Sequence, residues 1–418
     1  MRASAVRPQE RLLTMNMPED VNYILNTLEA VGHEAYIVGG CVRDILRGER
    51  PNDWDIATSA KPLETKALFP RTVDTGLKHG TVTVLFGQNR YEVTTYRIDG
   101  EYLDGRRPES VMFTGQINED LSRRDFTINA IAYSPMRGFA DPFNGRDDIS
   151  RRIIKCVGEA ECRFREDALR MLRAIRFSSV LGFDVDKKAL ETIEILKSGL
   201  TQVSAERIRE ELGKLLCGDY PEAVKMLETT GLLPYVMRQE KNKSASQSLP
   251  RISDNLLREI KQCPQNEPMR LALFLKCTDS DPTKILRSLR FDNKTTKEVS
   301  IYARLMPTDI PVERYEIKMI LRTISPEVFF KLLDLKEISN KDYDKKTNTI
   351  REIINDIIEK NECFLPRDLA VNGQDLMKVG IPPGKQMGET LERLLNAVMR
   401  EPHLNEKEIL IKRAKNGK

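Results

Sequence analysis

Strand-forming patterns stop near residue 160 of this chain. Before that point, short apolar or alternating runs recur between glycines. After it, apolar residues repeat almost only at helical spacing. A chain of 418 residues divided in this way cannot be one sheet-centred domain. The pattern predicts an α+β protein: a mixed portion of about 140 residues, then a long all-helical remainder.

Residues 18–32 predict an amphipathic helix, with Val21, Ile24, Leu25 and Leu28 on its apolar face. Ala35–Val38 is a strand that ends at Gly39-Gly40, and residues 41–48 are a helix stopped by Gly48. Asp53–Ile56 predicts the next strand. Thr58 or Ser59 then caps a helix with Pro62 in its first turn and Leu63, Ala67 and Leu68 facing inward. Thr81–Phe86 and Tyr91–Arg97 are strands joined by Gly87-Gln88-Asn89. Residues 98–112 read as a polar, mobile loop, and Ile153–Val157 as a last strand. Helices are expected over 162–182, 187–198, 204–216, 221–230, 253–261, 267–277 and 282–290, with more beyond. The polar stretches Arg238–Ser248 and 341–350 read as linkers.

Three constellations carry chemistry. The first is the glycine pair with Asp53 and Asp55. Glycines let backbone N–H groups approach a triphosphate at a helix start. Aspartates two apart on a strand point the same way, about 7 Å apart along it, and suit a hard divalent cation that also bridges phosphate oxygens. Trp54 between them is expected to face away from the cation. Glu92 lies opposite Tyr91, Val93 and Thr95 on its strand, where it could be a third carboxylate.

The second constellation is Arg123-Arg124-Asp125-Phe126-Thr127-Ile128-Asn129. Asp125 and Asn129 share a face if the segment is helical, and carboxylate and amide together suit a ribose hydroxyl. Arg124 can meet a phosphate. The third is Glu166-Asp167-Ala168-Leu169-Arg170. Asp167 and Arg170 make an acceptor–donor fork that matches the edges of cytosine and adenine and opposes those of uracil and guanine. Glu166 stands four before Arg170 and can hold it. Taken singly, Asp-x-Asp also reads as a turn or solvated surface, Glu92 as an exposed strand residue, and the other two motifs as ordinary surface ion pairs.

The net charge of +4 neither demands nor excludes nucleic acid. Seven scattered cysteines without a CxxC pair point to free thiols in a reducing compartment. None of His33, His79 and His403 adjoins an aspartate, so a His-Asp hydrolase module is not expected. No apolar run is long enough to span a membrane. Residues 1–16, with Arg2, Arg7 and Arg11, read as a ragged start rather than a presequence.

Taken in order, Gly39-Gly40-x-Val42-Arg43-Asp44, Asp53-x-Asp55-x-Ala57-Thr58, Arg123-Arg124-Asp125-x-Thr127-x-Asn129-Ala130 and Glu166-Asp167-x-x-Arg170 resemble the class II tRNA nucleotidyltransferases, the CCA-adding enzymes. Arg207-Ile208-x-x-Glu211-Leu212, Gly373-x-Asp375-Leu376, Gly380 and Gly384 fit as well. The resemblance runs from about residue 17 to the end. It implies a polymerase-β-like nucleotidyltransferase head over 17–150, a helical neck over 151–220, a helical body over 221–345 and a helical tail over 346–418.

The resemblance also assigns roles. Asp53 and Asp55 would hold magnesium and, with Glu92, be catalytic. Gly39, Gly40 and Arg43 would meet the triphosphate, and Arg124, Asp125 and Asn129 the phosphate and ribose. Asp167 and Arg170, with Glu166 behind the arginine, would pair with the base. CTP, ATP and tRNA are the implied partners, and the cytoplasm the implied compartment. Body and tail would grip the tRNA mainly through phosphates. Gly76-Leu77-Lys78-His79-Gly80-Thr81 is similar to the CCA-adding form rather than to poly(A) polymerases. The intact segment Asp99–Met112, with Tyr102, Asp104, Arg106 and Arg107, disfavours a CC-only product. An A-adding relative, a poly(A) polymerase and an inactive RNA binder are the alternatives. The sequence leaves monomer or homodimer open.

Overall fold

The computed structural model describes residues 17–100, 111–238 and 250–416. The first helix, α1 (Glu19–Ala30), buries Val21, Ile24, Leu25 and Leu28, the face its periodicity predicts. Next come β1 (Ala35–Val38), α2 (Gly40–Leu46), β2 (Asp55–Thr58), α3 (Pro62–Leu68), β3 (Thr72–Gly76), β4 (Thr81–Phe86) and β5 (Asn89–Thr95). The head continues with β6 (Arg97–Asp99), β7 (Val111–Phe113), α4 (Ile117–Ser122), β8 (Ala132–Ser134), β9 (Gly138–Ala140), α5 (Gly145–Arg151) and β10 (Ile153–Ile154). After it come α6 (Ala160–Glu166), α7 (Leu169–Leu181), β11 (Asp184–Val185), α8 (Lys187–Leu196) and α9 (Ala205–Leu216), and then helices to the end of the described chain.

Seven strands form one mixed sheet in the order β3-β4-β5-β2-β1-β8-β9. The β2–β5 pair is parallel and its neighbours are antiparallel. All four residues of β1 are buried, as expected of a central strand. Tyr36 and Val38 join Ala57, Tyr96, Leu121 and Ala132 in an apolar cluster beneath the sheet.

Several sequence expectations are corrected. β2 starts at Asp55, so Asp53 and Trp54 stand before the strand and escape its alternation. The helix after β2 is capped by the Glu64 carboxylate, which accepts from the Lys61 N–H at 2.7 Å. Leu63 and Ala67 on that helix are exposed, and the buried residues are Pro62 and Thr65. The hairpin turn is Gly87-Gln88 alone, because Phe86 already pairs with Asn89. The ends of the expected 98–112 loop pair as β6 and β7; Tyr102, Asp104, Arg106 and Arg107 lie outside the described residues.

The expected helix 162–182 is two helices, broken where Asp167 adopts an extended conformation (φ −147°, ψ 104°). Residues 341–350 are not a linker, since they hold a 3-10 turn and the start of the helix Asp344–Glu359. Its polar residues face outward while Thr347, Ile350, Ile354 and Ile357 go in. Most of the expected linker Arg238–Ser248 lies outside the described residues.

The chain gathers into two compact units. One runs to Leu257 and takes in Cys277–Phe291; the other comprises Arg258–Lys276 and the chain from Asp292 onward. The second unit is helical. A cluster including Leu376, Leu394, Leu395, Val398 and Leu410 fills part of its core. Lys318, fully buried there, donates from Nζ to Glu362 at 2.7 Å and to the Met399 carbonyl at 3.0 Å. Unpaired, such a charge would not be tolerated in an apolar interior. Among the described residues, no helix is long and apolar enough to cross a membrane.

Candidate active site

The acids meet at the centre of the sheet. The parallel register of β2 and β5 sets Asp55 directly beside Glu92. On β5, Tyr91, Val93 and Thr95 are buried while Glu92 is exposed, as alternation predicts. Asp53, Trp54, Asp55 and Glu92 line one cavity of about 670 Å³, with Arg90 and Thr83 in its wall. Trp54 thus borders the cavity and does not simply face away, because it precedes the pleated strand.

The carboxylates feel one another. Burial and the charge of Asp53 push Asp55 up, with Arg124 pulling the other way. Burial, then Asp55 and Asp53, push Glu92 up. Mutually repelling carboxylates at a cavity whose described lining holds no thiol or imidazole are a donor set that fits a hard divalent cation. Among the described residues, no three His, Cys, Asp or Glu side chains close on a single point. A cation here would therefore complete its shell with phosphate oxygens and water, as magnesium prefers.

A proton competes with a cation for the same oxygens. Because Asp55 and Glu92 are raised, the folded protein holds these protons more tightly than the unfolded chain does. Cation-free protein is therefore stabilised at these two sites as pH falls through the raised values, while cation binding weakens. The expected result is that melting temperatures with and without magnesium converge on acidification. A magnesium-induced shift that does not change with pH would contradict it.

The glycine pair lies beside these acids. Gly39 adopts φ 75° and ψ −126°, a conformation L side chains rarely take. A Cβ there would stand 3.0 Å from Arg124 Nη1. The glycine thus lets backbone and guanidinium share one small space. Arg124 Nη2 donates to the buried Asp120 at 3.2 Å, and Arg123 Nη2 to the same carboxylate at 2.8 Å. Burial pushes Asp120 up, but the two guanidiniums outweigh it and hold the carboxyl below its usual range.

From there a polar chain leads away from the acids. Arg43 Nη1 donates to Asn129 Oδ1 at 2.7 Å, and Asn129 Nδ2 to Asp125 Oδ1 at 3.1 Å. Asp125 and Asn129 meet through a 3-10 turn, Thr127–Asn129, and not along an α-helix. Asp125 Oδ2 accepts from Arg173 Nη2 at 2.6 Å. Burial alone would raise this carboxyl, yet Arg173 brings it down to about 2. Arg173 and Arg176 both reach Glu211, which is 5% exposed.

The third motif is split by the helix break. Arg170 Nη1 donates to Glu166 Oε2 at 2.6 Å, the expected support, and its Nη2 donates to the Arg123 carbonyl at 3.0 Å. Asp167 instead turns to Arg207, whose Nη2 donates to Oδ2 at 2.6 Å and whose Nη1 donates to Oδ1 at 3.2 Å. A carboxylate has about four acceptor positions, so Asp167 can still accept from a base amino group. Glu166 and Arg123 also line a neighbouring cavity of about 960 Å³ with Asp99 and Arg163.

Sequence reasoning gave no role to Arg173, Arg176, Arg207, Glu211 or Asp120. Two signals were present: Arg207 and Glu211 stand in the motif Arg207-Ile208-x-x-Glu211-Leu212, and Arg170, Arg173 and Arg176 recur every third residue of α7. Replacing Glu211 by glutamine removes the shared negative charge under two guanidiniums. It should destabilise the protein by about 1.5–3 kcal/mol, the usual worth of hydrogen bonds to charged groups. A urea midpoint equal to that of the unaltered protein would show that Arg173 and Arg176 do not depend on that charge.

The family model of the poly(A) polymerase head domain matches residues 35–155. The model of tRNA nucleotidyltransferase domain 2 matches residues 264–414, and the model described as the RNA and SrmB-binding site of polymerase A matches 182–242. The CCA-adding enzyme of Lactobacillus delbrueckii is 38% identical over 384 residues, covering 90% of this chain and 92% of the relative. That of Geobacillus thermodenitrificans is 39% identical over 397 residues, covering 92% and 93%. The crystal structure of the Bacillus stearothermophilus CCA-adding enzyme in complex with CTP superimposes with a TM-score of 0.79 at 34% identity, covering 98% of this chain and 99% of that one.

Proposed function

The chain belongs to the CCA-adding tRNA nucleotidyltransferases, and from that premise we propose how its residues build the CCA end of tRNA from CTP and ATP. The enzyme adds nucleotides without a nucleic-acid template and releases pyrophosphate. The observation that carries the proposal is three neighbouring sets of contacts: Asp55 beside Glu92, Gly39 against Arg124, and the polar chain Arg43–Asn129–Asp125–Arg173.

Nucleotidyltransferases of this kind use a divalent metal. We assign magnesium to Asp53 and Asp55, with Glu92 completing the acidic wall. When bound, the cation raises the acidity of the attacking 3′-hydroxyl and neutralises charge on the departing pyrophosphate. Gly39 and Gly40 leave room for the triphosphate, and Arg43 supplies a fork of N–H donors to it. Arg124 meets phosphate. Asn129 meets the ribose, held by Asp125, whose own oxygens are already engaged by Asn129, Arg173 and the Phe126 N–H. Asp125 is therefore best read as a positioning group.

Arg170 and Asp167 read the base. Each is fixed from behind, Arg170 by Glu166 and Asp167 by Arg207. Fixed partners leave one hydrogen-bonding order open, which suits cytosine and adenine. Residues 17–150 act as the catalytic head, 151–220 as the base-reading neck, and 221–345 and 346–418 as body and tail on the tRNA. The cytoplasm is the compartment that fits this work.

Sequencing of products made on tRNA lacking its last three nucleotides tests the reading. With CTP and ATP the product ends in CCA and growth stops. Addition of A alone to tRNA ending in CC, a poly(A) tail, or no incorporation would each overturn it.

A further inference from the structure

Phe177 has no polar atom and is only 4% exposed, yet three guanidiniums surround it. Arg176 Cζ lies 3.6 Å from the ring centroid, and Arg43 and Arg173 Cζ each lie 5.4 Å from it. Phe126, fully buried, packs edge-on against the same ring at 5.6 Å between centroids, with an interplanar angle of 81°. The three arginines come from two helices: Arg43 from α2, Arg173 and Arg176 from α7.

Like charges this close repel. Carboxylates answer each one: Asp44 takes Arg43, Asp125 takes Arg173, and Glu211 takes Arg173 and Arg176. Those contacts use N–H groups at the guanidinium edges. The ring meets the arginines through its π-system, whose negative face attracts cations and competes for none of their hydrogen bonds. An aliphatic side chain of similar size would fill the space without that attraction. All three arginines thus meet this one ring.

We propose that Phe177 is a positioning residue for the nucleotide: its ring face holds Arg43 at the height where its free N–H groups meet the triphosphate. The inference rests on the reading of Arg43 as a triphosphate ligand. It adds an electronic requirement to that site, in that affinity for nucleotide tracks the negative potential of one buried ring.

The test is a series at position 177, Phe replaced by its mono-, di- and pentafluorinated analogues. These nearly keep the ring's size while draining its face of negative potential. The KM for CTP and for ATP should climb at each step, to about 10-fold at the pentafluoro ring. kcat and tRNA affinity should stay close to those of the unaltered enzyme, while the melting temperature falls in step because Arg173 and Arg176 lose the same attraction. Arg43→Ala is measured alongside. If Arg43→Ala leaves KM unchanged, the triphosphate reading fails and this inference falls with it. If Arg43→Ala raises KM while the fluorinated series stays flat, the site stands and Phe177 is packing alone. Phe177→Leu should match the pentafluoro ring in KM; a Leu variant that binds CTP normally would also overturn the proposal.

Discussion

Changing Asp53 and Asp55 together to alanine should lower CTP addition at least about 10⁴-fold while tRNA affinity stays within about threefold. The rate loss corresponds to roughly 5.5 kcal/mol, within what a metal-centred site supplies through charge stabilisation and positioning. The tRNA contacts survive because phosphates dominate that affinity and these two acids carry the wrong sign for them. The acids also repel one another in the cation-free protein, as the raised Asp55 and Glu92 show. The double variant should therefore melt no lower than the unaltered enzyme without metal, and should lose the stabilisation that magnesium gives. Filter binding, single-turnover kinetics and thermal melts check the three parts. Normal turnover in the double variant would remove these residues from catalysis.

Arg170→Ala should reduce the preference for CTP and ATP over UTP and GTP by at least about 100-fold. A site built to hydrogen-bond one pattern rejects the opposite pattern strongly because buried groups are left unpaired. Arg170 is 9% exposed and anchored to Glu166 and to the Arg123 carbonyl, so it pays little orientational entropy on meeting a base. Truncating it removes the donor and leaves Glu166 paired with Arg163 alone, whose Nη2 lies 2.6 Å from Oε1. Misincorporation rates of all four nucleotides on one tRNA measure the effect. An unchanged preference, with unchanged rates, would show that the base is read elsewhere.

Much of the head was legible in the sequence. β1 could be read from four apolar residues ending in a glycine pair, and the outward Glu92 from the alternation of Tyr91, Val93 and Thr95. Both are local patterns with a fixed period. β3, β8 and β9 were missed: β8 and β9 span three residues each, and their pairing is decided by the sheet they join. The break at Asp167 was also hidden. Helical spacing gives no sign of it, since the core face of Ala168, Met171, Leu172 and Ile175 begins just after it, and the residue that turns Asp167 aside, Arg207, comes 40 positions later.

The candidate site shows the same division. Its acids, glycines and the Glu166–Arg170 pair are sequence neighbours with recognisable spacings. Asp120 beneath Arg124 is a single carboxylate on a helix, indistinguishable there from surface charge, and Glu211 beneath Arg173 and Arg176 is marked by its motif but not by its partners. Only the fold shows them buried. A one-dimensional reading finds groups that could touch a ligand more readily than groups that hold those groups still.

The most direct measurement is anomalous scattering from manganese, a magnesium surrogate, in crystals of the enzyme with a non-reactive CTP analogue. The account predicts a peak within about 2.0–2.3 Å of carboxylate oxygens of both Asp53 and Asp55, shared with the triphosphate. A metal peak bound to the triphosphate but remote from these two aspartates would contradict it.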